Sequence, residues 1–497
     1  MFMSTKSKTP DHSQPAASSD GNERNERGEL GERSYVMIVR AKLLRNGRGA
    51  LASFTTAVSN AGGDTGDIDV LQSTGNYIIR DFSISARDTK HGEAIVEELK
   101  KLQEVEIINV SDVVFLKHLG GKISITPTSE VKTRVDLCQV YTPEVARVCE
   151  AIKADPAKAF NLTIRGKMVA VISDGSRVLA LGNIGALAAL PVMEGKAMLF
   201  KRFADVDAFP ICLNTQNTDE IVAAVKAIAP NFGAINLEDI ESPRCYEVER
   251  RLREALDIPV FHDDQHGTAV VVGAAAINAA KYIKKPLSRL KLVAVGTGAA
   301  GMACIKMLID LGVKDIIAFN KDGAVYKGAP NLTETETWLA ENSNAACFKG
   351  TIKEALKGRD MFMGLSVGGL LKGEDLKVMN KKAIVFALAN PRAEVSPEEV
   401  PANVYVMATG SSKYPNQINN ALAFPGLFRG ALDARAPQIT DEMCLEAARS
   451  LAGLIQTKEL DHDYIIPTVF DPRVAKAVAE AVKQIAAKNG TARRTAR

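Results

Sequence analysis

The run Lys291-Leu-Val-Ala-Val295 leads directly into Gly296-Thr-Gly-Ala-Ala-Gly301 and then into the helical pattern of Met302 to Leu311. Strand, glycine turn and helix in that order are the start of a parallel α/β sheet that binds a dinucleotide. The first glycine permits a tight turn, the second lets backbone approach a pyrophosphate, and the third lets helix and strand pack closely. The helix N-terminus adds unpaired N–H groups and a favourable dipole. Gly296, Thr297, Gly298, Ala299, Ala300 and Gly301 are therefore the expected phosphate cradle for NAD or NADP. Apolar runs recur at 315–319, 361–364, 383–387 and 404–408 with helical stretches between them, which predicts an open, mainly parallel sheet.

The residue at the end of the second strand reads the adenosine ribose, and here it is Asn320. An acidic side chain there would accept hydrogen bonds from both hydroxyls of NAD. Asn320 carries no charge to repel a 2′-phosphate, and Lys321 favours one, so NAD and NADP both stay open. Asp322 becomes the ribose acceptor if the strand ends a residue or two later.

A chain of 497 residues exceeds one ordinary domain. Residues 1–33 are polar and charged with one aromatic, Phe2, and are expected to be a disordered tail; their acidic residues argue against an organelle-targeting peptide. From 34 to 117 the pattern reads βαββαβ: strands over 35–43, 68–72, 77–86 and 105–115, helices over 49–61 and 89–102. That order predicts a small ferredoxin-like sheet with two helices on one face. Farther on, short strands at 169–172 and 234–236 alternate with helical spacing at 219–229 and 245–256. The last sixty or so residues read as helices that pack back on this α/β region.

The charge balance, 62 Lys plus Arg against 59 Asp plus Glu, gives no reason to expect a nucleic-acid partner. Seven cysteines lie at long intervals without a CxxC pair and read as free thiols. Apolar runs are too short to span a bilayer, and the expected location is cytoplasmic.

Two acidic pairs follow predicted strands. Glu238 and Asp239 follow Asn236-Leu237, and Asp263 and Asp264 follow Pro259-Val-Phe261. Oxygen-rich clusters without cysteine suit Mg²⁺ or Mn²⁺. His262 and His266 read as supporting residues rather than zinc ligands. A 2-hydroxy acid oxidised at such a site needs a general base and a proton donor, and Lys196 and Tyr141 are candidates. On residue type alone, each is more often a surface charge or a packing residue.

Together these motifs resemble the malic enzyme family. Tyr141-Thr-Pro143, Ser173-Asp-Gly-Ser-Arg177, Leu181-Gly-Asn-Ile-Gly185, Gly195-Lys196, Glu238-Asp239, Phe261-His-Asp-Asp-Gln-His-Gly-Thr268, the Gly296 turn, Ala389-Asn390-Pro391 and Pro415-Asn-Gln-Ile-Asn-Asn420 occur in that family's order. The likeness covers about residues 120 to 480 and is similar to the compact bacterial branch. The βαββαβ segment, with its loop Asn46-Gly47-Arg48-Gly49, resembles an ACT domain, either a small-molecule effector module or a dimerisation unit.

The resemblance implies an α/β protein of three folded parts. They are an N-terminal ferredoxin-like ACT domain (34–117), a substrate and metal domain (118–266) and a Rossmann-like dinucleotide-binding domain (267–435), followed by a C-terminal helical segment (436–497). It implies oxidation of malate to pyruvate and CO₂ with NAD or NADP and Mg²⁺ or Mn²⁺, in a homodimer or larger homo-oligomer. Lys196 matches the general base and Tyr141 the acid that protonates the enol. Glu238, Asp239 and Asp264 match the metal ligands, with Asp263 a neighbouring support. Arg177, Asn390 and one or both of Asn419 and Asn420 match groups that hold carboxylates. As a base, Lys196 works best with its proton affinity lowered toward neutrality by burial and a nearby cation. Asn183, Asn320 and Lys413 stand where the family pattern is acidic, which puts cofactor preference and hydrogen bonding in doubt rather than activity.

Overall fold

The computed structural model describes residues 35–45, 49–179 and 181–493. The tail expected over 1–33 and the loop residues Asn46, Gly47 and Arg48 lie outside the described residues. The chain forms two compact units, 1–120 and 121–497.

In the first unit, strands β1 (Tyr35–Leu44), β2 (Asp64–Ser73), β3 (Tyr77–Ala86) and β4 (Val105–Asp112) pair antiparallel in the order β2-β3-β1-β4. Period-two alternation in β1 turns Met37, Val39, Ala41 and Leu43 inward. They meet Phe54 and Val58 of the helix Ala50–Asn60 and Ile95 and Leu99 of the helix Thr89–Lys100. Phe54 stacks on Phe82 with ring centroids 3.9 Å apart. This is the expected βαββαβ order. The last strand stops at Asp112 instead of running to Phe115, because the Asp112 carboxylate accepts the Val114 N–H at 2.7 Å and starts a helical turn, Val113–Leu116.

The second unit holds two sheets. The first is wholly parallel, with β5 (Met168–Ser173), β6 (Asp207–Cys212), β7 (Ala234–Leu237) and β8 (Val260–His262) in the order β6-β5-β7-β8. The second follows the order β11-β10-β9-β12-β13-β14. Here β9 is Lys291–Val295, β10 Asp315–Asn320, β11 Gly323–Ala324, β12 Met361–Gly364, β13 Ala383–Ala387 and β14 Val404–Thr409. All pairs are parallel except the short edge strand β11. Leu292 and Ala294 face one core while Val293 and Val295 face another, so the sheet is covered on both sides. Strand order reverses between β9 and β12, and Gly296 turns there at φ 106°, where a side chain would strike the Leu365 carbonyl.

The two sheets are joined through the helix Asp263–Tyr282, whose Ala, Val and Gly positions are buried almost all round. It packs against the helices Ala299–Asp310 and Asp441–Gly453. The helices Phe424–Ala434 and Arg473–Lys488 complete the core; Gly430 lets them approach, since a Cβ there would lie 2.5 Å from the Ala479 carbonyl. Among the described residues no helix is long and apolar enough to cross a membrane.

Gly301 has the tightest role in the nucleotide turn, because a Cβ on it would come within 2.0 Å of the Gly296 carbonyl oxygen. Gly301→Ala is expected to cost about 1–3 kcal/mol of stability by overpacking and to remove most nucleotide affinity. Thermal unfolding with and without NAD checks both effects, and the wild-type shift on adding NAD should be lost.

Candidate active site

Two strand ends of the first sheet converge on one buried amine. Lys196 lies in the middle of the helix Gly185–Ala204, on the face that also buries Met193, Ala197 and Phe200. Its side chain is only 7% exposed. Lys196 Nζ donates to Glu238 Oε1 at 2.8 Å and contacts Asp263 Oδ2. It also sits 4.0 Å from the centroid of the Phe424 ring, which closes its remaining side.

Glu238 and Asp239 follow β7, and Asp263 and Asp264 form the first turn of the Asp263 helix directly after β8. Asp239 takes the left-handed conformation, φ 55°, and its N–H donates to Asp264 Oδ2 at 2.9 Å. The Arg177 N–H donates to the Asp239 carbonyl at 3.0 Å, which pins the loop after β5 to the acidic loop after β7. Within the β5 loop, Asp174 is held by Arg244 at 2.8 Å.

Burial penalises every charge in this cluster. Burial, then Asp264 and Glu238, push the Asp239 carboxyl up to about 9. Glu238 and Asp264 are likewise raised by burial, against the pull of Lys196. Burial works against the Lys196 ammonium, but Asp263, Glu238 and Asp264 outweigh it and hold the amine above its ordinary value. With the carboxylates aimed at it, Lys196 is their counter-ion; the lowering toward neutrality expected above belongs to a site that also holds the cation. Among the described residues no group of three or more His, Cys, Asp or Glu is preset at metal-holding spacing. Glu238 spends one oxygen on Lys196 and the other on Asn236 at 2.8 Å, while Asp264 caps the Asp239 N–H. The donor set still suits a divalent cation, because three carboxylates that resist ionising together lack one compensating positive charge.

The other expected residues divide. Asn420 lies against the first turn of the Asp263 helix, where Gly267 leaves room for both its Cβ and Asp263. Asn419 uses its side chain to accept the Ala421 N–H at 2.9 Å. Asn390 follows β13 and packs over Gly410 beyond β14, at the carboxyl edge of the second sheet. Tyr141 caps the helix Arg134–Val140 and is 64% exposed, in contrast to the sealed Lys196.

At the nucleotide turn, Asn320 ends β10 as expected, but its side chain is fully engaged. Its carbonyl accepts the Asp322 and Gly323 N–H groups at 2.9 and 3.0 Å, and its amide donates to Glu336 at 3.0 Å. Glu336 also accepts from the Thr297 hydroxyl at 2.7 Å. Burial raises its proton affinity, but donors from Thr333, Thr297 and Asn320 win and keep it ionised. The sequence reading missed Glu336, although the Thr333-x-x-Glu336 capping box was a visible signal. It also missed Phe424 and the direct Asp263–Lys196 contact, for which no local spacing gives a sign.

A parallel nucleotide-binding sheet joined through one buried helix to a lysine–carboxylate pocket defines the class as a dinucleotide-dependent oxidoreductase. Comparison with known proteins narrows it. The model of the malic enzyme N-terminal domain matches residues 120–253, and that of the malic enzyme NAD-binding domain matches residues 265–487. The NAD-dependent malic enzyme of Geobacillus stearothermophilus is 53% identical over 447 residues, covering 90% of this chain and 93% of that protein. The bifunctional malic/malolactic enzyme of Bacillus subtilis is 49% identical, covering 76% and 92%. The crystal structure of malic enzyme from Pyrococcus horikoshii superposes with a TM-score of 0.73 at 46% identity, over 76% of this chain and 89% of that one. The chain belongs to the malic enzyme family.

Lys196→Met is expected to destabilise the metal-free protein by about 3–5 kcal/mol, because it strands Glu238 and Asp263 without their counter-ion. Mn²⁺ should recover most of that loss. Urea unfolding with and without Mn²⁺ tests this, and equal stability of wild type and variant without metal would contradict it.

Proposed function

We propose that this chain oxidises malate with NAD or NADP and decarboxylates the product to pyruvate and CO₂, assisted by Mg²⁺ or Mn²⁺. The observation that carries this reading is the sealed Lys196 amine, shared between Glu238 and Asp263 beside Asp239 and Asp264. Glu238, Asp239 and Asp264 would hold the ion. When bound, it draws electron density from the substrate oxygen, easing hydride loss and then carbon–carbon cleavage. Gly296 to Gly301 would seat the dinucleotide, which would supply the hydride acceptor.

Lys196 Nζ takes the proton of the 2-hydroxyl once the carboxylates no longer bind it as a cation, and its contact with Asp263 Oδ2 supports a relay of that proton. Arg177, Asn390 and one or both of Asn419 and Asn420 hold the substrate carboxylates. Tyr141 returns a proton to the enol. The full chain with malate, Mn²⁺ and either nucleotide should yield equal amounts of reduced nucleotide, pyruvate and CO₂. Asp264→Asn should raise the Mn²⁺ requirement at least about tenfold. Reduced nucleotide without CO₂ would mark a 2-hydroxy-acid dehydrogenase instead, and no turnover with metabolite bound to the first unit would mark a sensor.

The nucleotide reading sharpens to NAD. The ionised Glu336 stands 3.0 Å from the Asn320 amide, so it supplies the negative charge that position 320 lacks and would repel a 2′-phosphate there. Glu336→Gln is expected to raise kcat/KM for NADP relative to NAD by about tenfold, the equivalent of roughly 1.4 kcal/mol. Paired steady-state assays decide it, and an unchanged ratio would remove Glu336 from nucleotide selection.

Three coarser features follow. The βαββαβ unit supports an ACT module with a small-molecule effector, and 447 aligned residues carry the Geobacillus likeness beyond 121–497 into that unit. Val131, Val135, Leu137, Val140, Leu162 and Ile164 are exposed in the same stretch of chain as Tyr141, which supports a homo-oligomer that covers them. The seven cysteines are all free, which supports a reducing, cytoplasmic location.

A further inference from the structure

The helix Arg244–Ala255 turns Cys245, Val248 and Leu252 into the core, and on that same apolar face it places Glu249, 6% exposed. A buried carboxylate among apolar neighbours is costly unless donors surround it. Glu249 has them, and all but one come from a single turn. Glu249 Oε1 accepts the His262 backbone N–H at 3.2 Å and lies 3.0 Å from His266 Nε2. Its Oε2 accepts from the Gln265 amide at 3.3 Å. Arg253 stands 3.9 Å away on its own helix. Burial alone would raise its proton affinity, but His266, His262 and Arg253 hold it below the usual carboxylate range.

The three donors bracket Asp263 and Asp264, with His262 immediately before the pair and Gln265 and His266 immediately after it. The Asp263 helix has no side-chain cap of its own. In a capping box the Gln at the third helical position would reach back to the N-cap N–H. Here Gln265 reaches out to Glu249 instead, and Glu249 takes the His262 N–H from the neighbouring helix. Helix termini need some such partner for their free N–H groups. Because it comes from outside, the direction of the first turn depends on the Arg244–Ala255 helix.

We propose that Glu249 is a positioning residue that clasps the turn on both sides of Asp263 and Asp264, aiming one carboxylate at Lys196 and the other at the metal. This rests on the metal reading above. Outer partners that orient metal ligands change metal affinity by about 10–100-fold when removed. Glu249→Gln keeps the shape but sets an amide donor against the donors of Gln265 and His266. Gln265→Leu removes a single clasp bond and leaves Glu249 in place.

The test uses the full chain without malate or nucleotide, titrated with Mn²⁺ and followed by electron paramagnetic resonance, beside thermal unfolding and steady-state kinetics. Glu249→Gln is expected to stay folded, to weaken Mn²⁺ binding about 10–100-fold, and to lower kcat/KM for malate in step while KM for the nucleotide holds within about twofold. Gln265→Leu should move the same quantities in the same direction by a smaller factor. The clasp is overturned if both variants bind Mn²⁺ like the wild type, or if nucleotide and Mn²⁺ affinity fall together as in general loss of structure. Wild-type protein that takes up no Mn²⁺ would instead overturn the metal reading, and the clasp with it.

Discussion

An ammonium and several carboxylates held away from water form the constraint on which the rest of the second unit depends. Lys196 and Asp263 are almost fully enclosed, and each charge there is tolerable only beside the other. The surrounding fold delivers them from separate elements: the amine from a long helix, Glu238 from the end of β7, Asp263 from the turn after β8. Phe424 closes over the amine and packs edge-on against Phe200 at 4.7 Å, so the electrostatic cluster and the aromatic core share a wall.

Both sheets of this unit place chemistry at the carboxyl ends of parallel strands, the edge where backbone N–H groups and loop side chains converge. The buried Asp263 helix links the two edges, opening at the acidic cluster and running on to pack against the nucleotide-sheet helix Ala299–Asp310. Its first turn has no cap of its own, and it carries two carboxylates where the helix dipole favours negative charge. That dipole favours the charged forms of Asp263 and Asp264 against the burial that opposes them.

Local signals in the sequence were strong wherever one element carries its own pattern. The glycine turn, the parallel strands and the alternation of β1 are all written in consecutive residues, and the parallel strands form within a residue or two of expectation, whereas β2 begins at Asp64 rather than Ile68 and β4 ends at Asp112 rather than Phe115. The acidic pairs were visible as pairs because each follows one short strand. What could not be read were partnerships made between distant elements. Lys196 and Asp263 are 67 residues apart, and no spacing rule connects a mid-helix lysine to a helix start. How firmly the Lys196 ammonium is held was illegible for the same reason. Burial was foreseeable, but the sign of the outcome turned on three carboxylates whose approach only the fold reveals. Asn320 shows the converse case. Its position was legible, but its amide is committed to Glu336, so the negative charge beside that position belongs to a side chain sixteen residues on.

The cluster also links cation binding to the acid–base state of the site. Glu238 serves Lys196 in the arrangement seen here, and the same carboxylate belongs to the set suited to a divalent ion. A carboxylate oxygen that binds the ion neutralises Lys196 less, and a second positive charge nearby disfavours the ammonium directly. With Glu238, Asp239 and Asp264 as ligands, metal uptake and proton release from the amine would be two sides of one equilibrium, as linkage requires. A lysine held strongly protonated in this state is therefore compatible with a base: the charges that keep it inert without the ion are the charges the ion takes over.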